Sequence, residues 1–89
     1  MKIVFSSDAW DDYTSWAEQD GGALAKINAL IESARRTPHA GLGKPEPLKG
    51  DLAGCWSRRI TGEHRLVYRV TGKPGVDQRL EILQCRRHY

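Results

Sequence analysis

The stretch Gly43-Lys44-Pro45-Glu46-Pro47-Leu48-Lys49-Gly50 limits the folding choices of this chain most severely. Proline fixes its own φ, lacks an amide proton and drives the residue before it towards extended backbone. Neither a helix nor a central strand can run through two prolines separated by one residue. Helical periodicity lies before this stretch and strand periodicity after it. The same residues set one carboxylate, Glu46, between the prolines, with Lys44 and Lys49 to either side. A stiff segment that aims an anion out of a cationic neighbourhood can preorganise a general base. It can equally be a rigid connector with solvated charges.

Before the stretch, Lys2 to Phe5 reads as a first strand. Ser6 or Ser7 caps a helix, with Asp8 in its first turn. Trp10, Tyr13, Trp16 and Ala17 give that helix an apolar face opposite Asp11, Asp12, Ser15 and Glu18. Asp20-Gly21-Gly22 breaks it, and a second helix follows from about Gly22 to Arg35. Its stripe is Leu24, Ile27, Leu30, Ile31 and Ala34, and Thr37-Pro38 stops it.

After a Gly/Pro-rich loop from His39 to Gly54, two strand patterns run from Cys55 to Thr61 and from His64 to Val70. Trp56, Ile60, Leu66, Tyr68 and Val70 form their core-facing set. Ser57, Arg59, Arg65, Val67 and Arg69 form the other face. A plain two-residue turn at Gly62-Glu63 would pair Ile60 with Arg65 and mix the faces, so a bulge or an odd loop length is expected. Arg79 to Cys85 is a final strand. The order β-α-α-β-β-β predicts an α+β fold, a helix hairpin on one face of a mostly antiparallel sheet. A chain of 89 residues suits a single domain, 1–89.

Charge is unequal along the chain. Residues 1–43 carry four Lys/Arg and six Asp/Glu, whereas residues 44–89 carry ten and five. A net charge of −2 against +5 suits a polyanion bound on one face. No apolar run approaches a membrane span, and Met1 to Phe5 lacks the features of a signal peptide, so a cytoplasmic protein is expected. Cys55 and Cys85 then read as free, partly buried thiols. With His39, His64 and His88 they include no pair at usual zinc-ligand spacing, and no metal is expected.

If the helices cover one face of the sheet, the other collects Glu46, Lys49, Arg59 and Arg65, joined by His88 and Tyr89 of the tail. That set matches the needs of RNA scission by the ribose 2′-hydroxyl. Glu46 can take the 2′-proton, His88 can protonate the departing 5′-oxygen, and Arg65 can stabilise the phosphorane. Neither metal nor cofactor is called for. A carboxylate at the terminus beside His88 would favour its protonated form. Lys44, Lys49 and Arg59 are candidate RNA-binding cations. Arg58, Arg86 and Arg87 read as solvated or phosphate-attracting charges, and His64, at a hairpin turn, as structural.

Four ordered segments closely resemble the YoeB/Txe toxins of the RelE/ParE toxin superfamily. They are Gly43 to Lys49, Trp56-Ser57-Arg58-Arg59-Ile60, Glu63-His64-Arg65-Leu66-Val67-Tyr68 and the final His88-Tyr89. Trp10-Asp11-Asp12-Tyr13 and Arg35-Arg36-Thr37-Pro38 fit as well, so the resemblance runs the whole length. It implies an endonuclease that enters the ribosomal A site, cuts mRNA there and stops translation. It implies Glu46 as base, His88 as acid and Arg65 as phosphate stabiliser, with Lys49 and Tyr89 orienting the substrate and Arg59 in the same basic cleft. It also implies a YefM-like antitoxin and a tendency to form toxin dimers. Two departures stand out: a long turn from Thr71 to Gln78, and Arg87 where an aromatic residue is usual. The competing readings are a ParE-like toxin that binds gyrase and a non-catalytic RNA-binding module.

Overall fold

One residue ends the first helix and begins the second. In the computed structural model, which describes residues 1–87, β1 (Lys2–Phe5) leads into α1 (Ser7–Gln19) and α2 (Gly21–Arg36). The Asp20 amide donates to the Trp16 carbonyl at 2.8 Å, closing α1. Its carboxylate accepts the amides of Gly22 and Ala23 at 3.0 and 3.1 Å, opening α2. Gly21 and Gly22 therefore lie inside the first turn of α2 and not in a break. The cap satisfies donors that every helix start leaves orphaned, offsetting a propensity cost of about 1 kcal/mol per glycine. Ser6 caps α1 in the same way, its Oγ accepting the Ala9 amide at 3.0 Å.

The second half gives β2 (Glu46–Pro47), a 3-10 turn (Gly50–Leu52), β3 (Trp56–Arg59), β4 (Arg65–Thr71) and β5 (Arg79–Gln84). The sheet order is β1-β5-β4-β3-β2. β1 runs parallel to β5, and the other neighbours are antiparallel. The expected α+β architecture holds, with one addition: two residues of the proline stretch form an edge strand. An edge tolerates Pro47, because only one side of the strand needs donors.

Strand alternation sorts the faces as expected. Ile60, Leu66, Tyr68, Leu80 and Ile82 meet Ala9, Trp16, Ile27, Leu30 and Ala34 of the helices in one core. Trp10 departs from its expected place, being 52 % exposed and stacked on Tyr13. Ala17 is exposed too. In the hairpin Arg59 pairs with Arg65, and the Ile60 amide donates to the His64 carbonyl at 3.0 Å. The connection is thus a three-residue loop, Thr61-Gly62-Glu63, whose odd length keeps the faces unmixed. A register shift against β5 follows between Val67 and Tyr68.

Cys55 and Cys85 are free and buried. Burial pushes the Cys85 thiol up to about 12; the Asp12 carboxylate adds to the rise and Arg86 opposes it. Burial also raises the Tyr68 phenol, against the pull of Arg58. Both groups hold their protons more tightly when folded. Their contribution is complete below the unfolded values, 9.0 for the thiol and 10.0 for the phenol, and is lost as pH rises towards the folded ones. The urea midpoint, followed by tryptophan fluorescence, should fall above pH 9 in the wild type and less steeply in Cys85→Ala.

Candidate active site

The loop that precedes Glu46 is held from beneath by Arg58. This side chain is wholly buried, so its expected place among solvated charges is corrected. Its Nη1 donates to Ser33 Oγ at 2.7 Å and to the Leu42 carbonyl at 3.0 Å. Nη2 donates to the carbonyls of Thr37 and Ala40 at 2.7 and 2.8 Å, and Nε to the Tyr68 hydroxyl at 2.9 Å. That hydroxyl donates in turn to the Pro38 carbonyl at 2.6 Å. The signal was present in the sequence. Arg58 stands midway between Trp56 and Ile60, and a period of two turns it to the core side.

Two backbone positions then set the exit of the loop. Gly43 has φ +82°, and a Cβ there would come within 2.5 Å of Leu30 Cδ2 and 3.1 Å of Arg58 Cβ. Its carbonyl accepts the Arg59 amide at 2.7 Å. Lys44 has φ +53°. Proline after it suggests extended backbone, but Lys44 is left-handed here, at a cost of roughly 1–2 kcal/mol.

Register decides where the candidate groups face. Glu46 pairs with Ser57, Ser57 with Val67, and Arg59 with Arg65. Val67 belongs to a second apolar cluster, with Leu48 and Cys55, separate from the helix core. Alternation puts Glu46, Arg59 and Arg65 on this same helix-free side. Neighbouring strands are about 4.8 Å apart, and Arg59 lies roughly 7 Å along β3 from the residue paired with Glu46. The face is not fully open: the turn after Lys49 folds Leu48 and Leu52 over one end of it.

Lys44, Glu46, Lys49 and Arg59 are exposed, and Arg65 is half-buried. Arg65 Nη1 donates to the carbonyls of Thr61, Gly62 and His64 at 2.8, 3.2 and 3.0 Å. Those bonds fix the guanidinium over the hairpin loop. Like charges directly opposite each other destabilise a sheet. Among the described residues neither Arg59 nor Arg65 has a carboxylate within ion-pair distance. The pair therefore concentrates positive charge two residues from the line of Glu46. A carboxylate on the same face as two guanidinium groups, one of them fixed, can accept a proton next to a bound phosphate.

His88 and Tyr89 lie outside the described residues. The tail that leads to them is held closely. Trp16 Nε1 donates to the Cys85 carbonyl at 2.7 Å, and the Cys85 amide to Asp12 Oδ2 at 3.1 Å. Arg86, expected in solvent, is half-buried; it covers the Trp16 ring at 3.8 Å and bonds Ser15 and Gln19. His64 is structural as expected, its ring set edge-on to Trp16 at 4.9 Å. His39, for which the sequence offers no role, stacks on Trp56 at 4.4 Å. Among the described residues no cluster of three His, Cys, Asp or Glu could hold a metal ion, and no helix is long and apolar enough to cross a membrane.

The family model described as "YoeB-like toxin of bacterial type II toxin-antitoxin system" matches residues 5–89. Toxin YoeB of Escherichia coli K12 is 56 % identical over 89 residues, all of both chains. Among solved structures, a YoeB/ParE toxin from Agrobacterium tumefaciens is 62 % identical, covers both chains fully and superposes with a TM-score of 0.94. YoeB from Staphylococcus aureus has been solved as a dimer, at 42 % identity and TM-score 0.87, and in a YoeB-YefM complex, at 40 % and 0.86. Each match covers 100 % of this chain and 98 % of the other.

Proposed function

Because the chain belongs to the YoeB-like toxins of bacterial type II toxin–antitoxin systems, we propose that it is a ribosome-dependent endoribonuclease that cuts mRNA in the A site. One observation carries this reading. The sheet register sets Glu46, Arg59 and Arg65 on one face, with an exposed lysine before and after the carboxylate.

In the proposed reaction Glu46 takes the proton of a ribose 2′-hydroxyl, whose oxygen attacks the adjacent phosphorus. Negative charge builds on the non-bridging oxygens. Arg65 meets it with a guanidinium already fixed by loop carbonyls, so little reorganisation remains for the transition state. Among the described residues its Nε and Nη2 carry no internal hydrogen bond and can donate to the phosphate. Arg59, Lys44 and Lys49 hold the flanking backbone. His88 protonates the 5′-oxygen as it leaves, and Tyr89 orients the substrate beside it. The products are a 2′,3′-cyclic phosphate and a free 5′-hydroxyl. A YefM-like antitoxin is the proposed inhibitor, a homodimer the proposed assembly, and the cytoplasm the proposed place of action.

Purified protein added to bacterial ribosomes carrying a defined mRNA should cut within the A-site codon and leave the cyclic phosphate, without added transition metal. The same mRNA free in solution should stay intact. Uncut mRNA on the ribosome together with gyrase inhibition would point to the ParE-like alternative. Salt-sensitive RNA binding with no cutting would point to the binding module.

A further inference from the structure

We infer that His64 is a positioning residue: through the Arg87 backbone it sets the direction in which the chain carries His88. The inference rests on the reading of His88 as the acid of the proposed reaction. Arg87 N–H donates to His64 Nδ1 at 2.7 Å, and the Arg65 amide donates to the Arg87 carbonyl at 3.0 Å. Adjacent residues of β4 and its approach thus hold both backbone groups of Arg87. Arg87 has φ +65°. A residue with a side chain persists in that conformation only where its surroundings fix it.

His64 is itself well fixed. Its side chain is 15 % exposed, and its ring abuts Trp16, which also binds the Cys85 carbonyl and lies under Arg86. One aromatic residue of α1 therefore backs both the tail and the imidazole that holds the tail. A bond accepted at Nδ1 requires that nitrogen to be bare and leaves the ring proton to Nε2, 3.9 Å from a Glu63 carboxylate oxygen. The residue after Arg87 is His88. A general acid works only within hydrogen-bond reach of the leaving oxygen, and the turn at Arg87 is the last hinge before it.

Two substitutions separate positioning from bulk. His64→Phe keeps a ring against Trp16 and removes the acceptor. His64→Asn keeps an acceptor close to the place of Nδ1. In the ribosome assay His64→Phe should lower kcat roughly 10–100-fold with KM unchanged, as expected of a misplaced reacting group. His64→Asn should recover most of that loss. A wild-type kcat in His64→Phe, or equal loss in both variants, overturns the inference. If His64→Phe does not fold, nitrogen-15 NMR of the wild-type imidazole decides: a proton on Nδ1 at neutral pH overturns it, and a bare Nδ1 supports it. His88→Ala distinguishes the two readings. If that variant cuts at the wild-type rate, the acid assignment and this inference fall together. If it is slow while His64→Phe is not, this inference falls alone.

Discussion

Glu46→Gln should slow mRNA cleavage by roughly 10²–10⁴-fold, the range expected if Glu46 is the proposed general base. The substitution is close to isosteric, and β2 keeps its pairing to β3 because Gln leaves the backbone unchanged. Glu46 is exposed and has no ion pair among the described residues, so the melting temperature should not move. Removing an anion from among Lys44, Lys49, Arg59 and Arg65 should hold or tighten binding to ribosomes. The expected pattern is thus a collapse of kcat with KM unchanged or lower, read in single-turnover cleavage. A loss below tenfold would take Glu46 out of the proton transfer. His88→Ala should show a kcat loss of the same order.

Arg58→Met should destabilise the fold by about 3–5 kcal/mol, since several buried acceptors lose their donor at about 1–3 kcal/mol each. Methionine fills part of the volume but donates nothing. The carbonyls of Thr37, Ala40 and Leu42 and the Ser33 hydroxyl each lose a donor, and the Tyr68 hydroxyl loses the Nε–H it accepts. Buried acceptors left without a partner carry their full desolvation cost. Lysine is a poor substitute, because one ammonium cannot span groups that a planar fork reaches on two sides. Urea unfolding of the purified variant measures the loss. A change under about 1 kcal/mol would mean that water replaces the guanidinium at the loop carbonyls.

These two residues show what could be read from the chain alone. Strand alternation separated Ile60, Leu66 and Tyr68 from Ser57, Arg59 and Arg65, and the structure keeps that division. The same alternation applied to Arg58 places it with Trp56 and Ile60. Reading it by its charge, as solvated, misses the anchor of the loop. Arg86 is misread for the same reason, since its aliphatic stem and planar head suit the Trp16 ring. Lys44 shows the limit of a local rule. The preference imposed by Pro45 does not hold in the fold, where Lys44 is left-handed directly after the tightly packed Gly43. No periodicity marks β2, because two residues cannot show one. The roles proposed for Glu46, Arg65 and His88 rest on chemistry and on family resemblance, while the shared face of Glu46, Arg59 and Arg65 depends on a register that only folding fixes.

The place of β5 bears on how the sheet assembles. It is inserted between β1, the first strand in sequence, and β4. Until it docks, the opening strand and the hairpin share no strand pairing. Closure over so long a span of chain is intrinsically slow. The sheet is whole only once a strand from late in the sequence has reached the one that opens it.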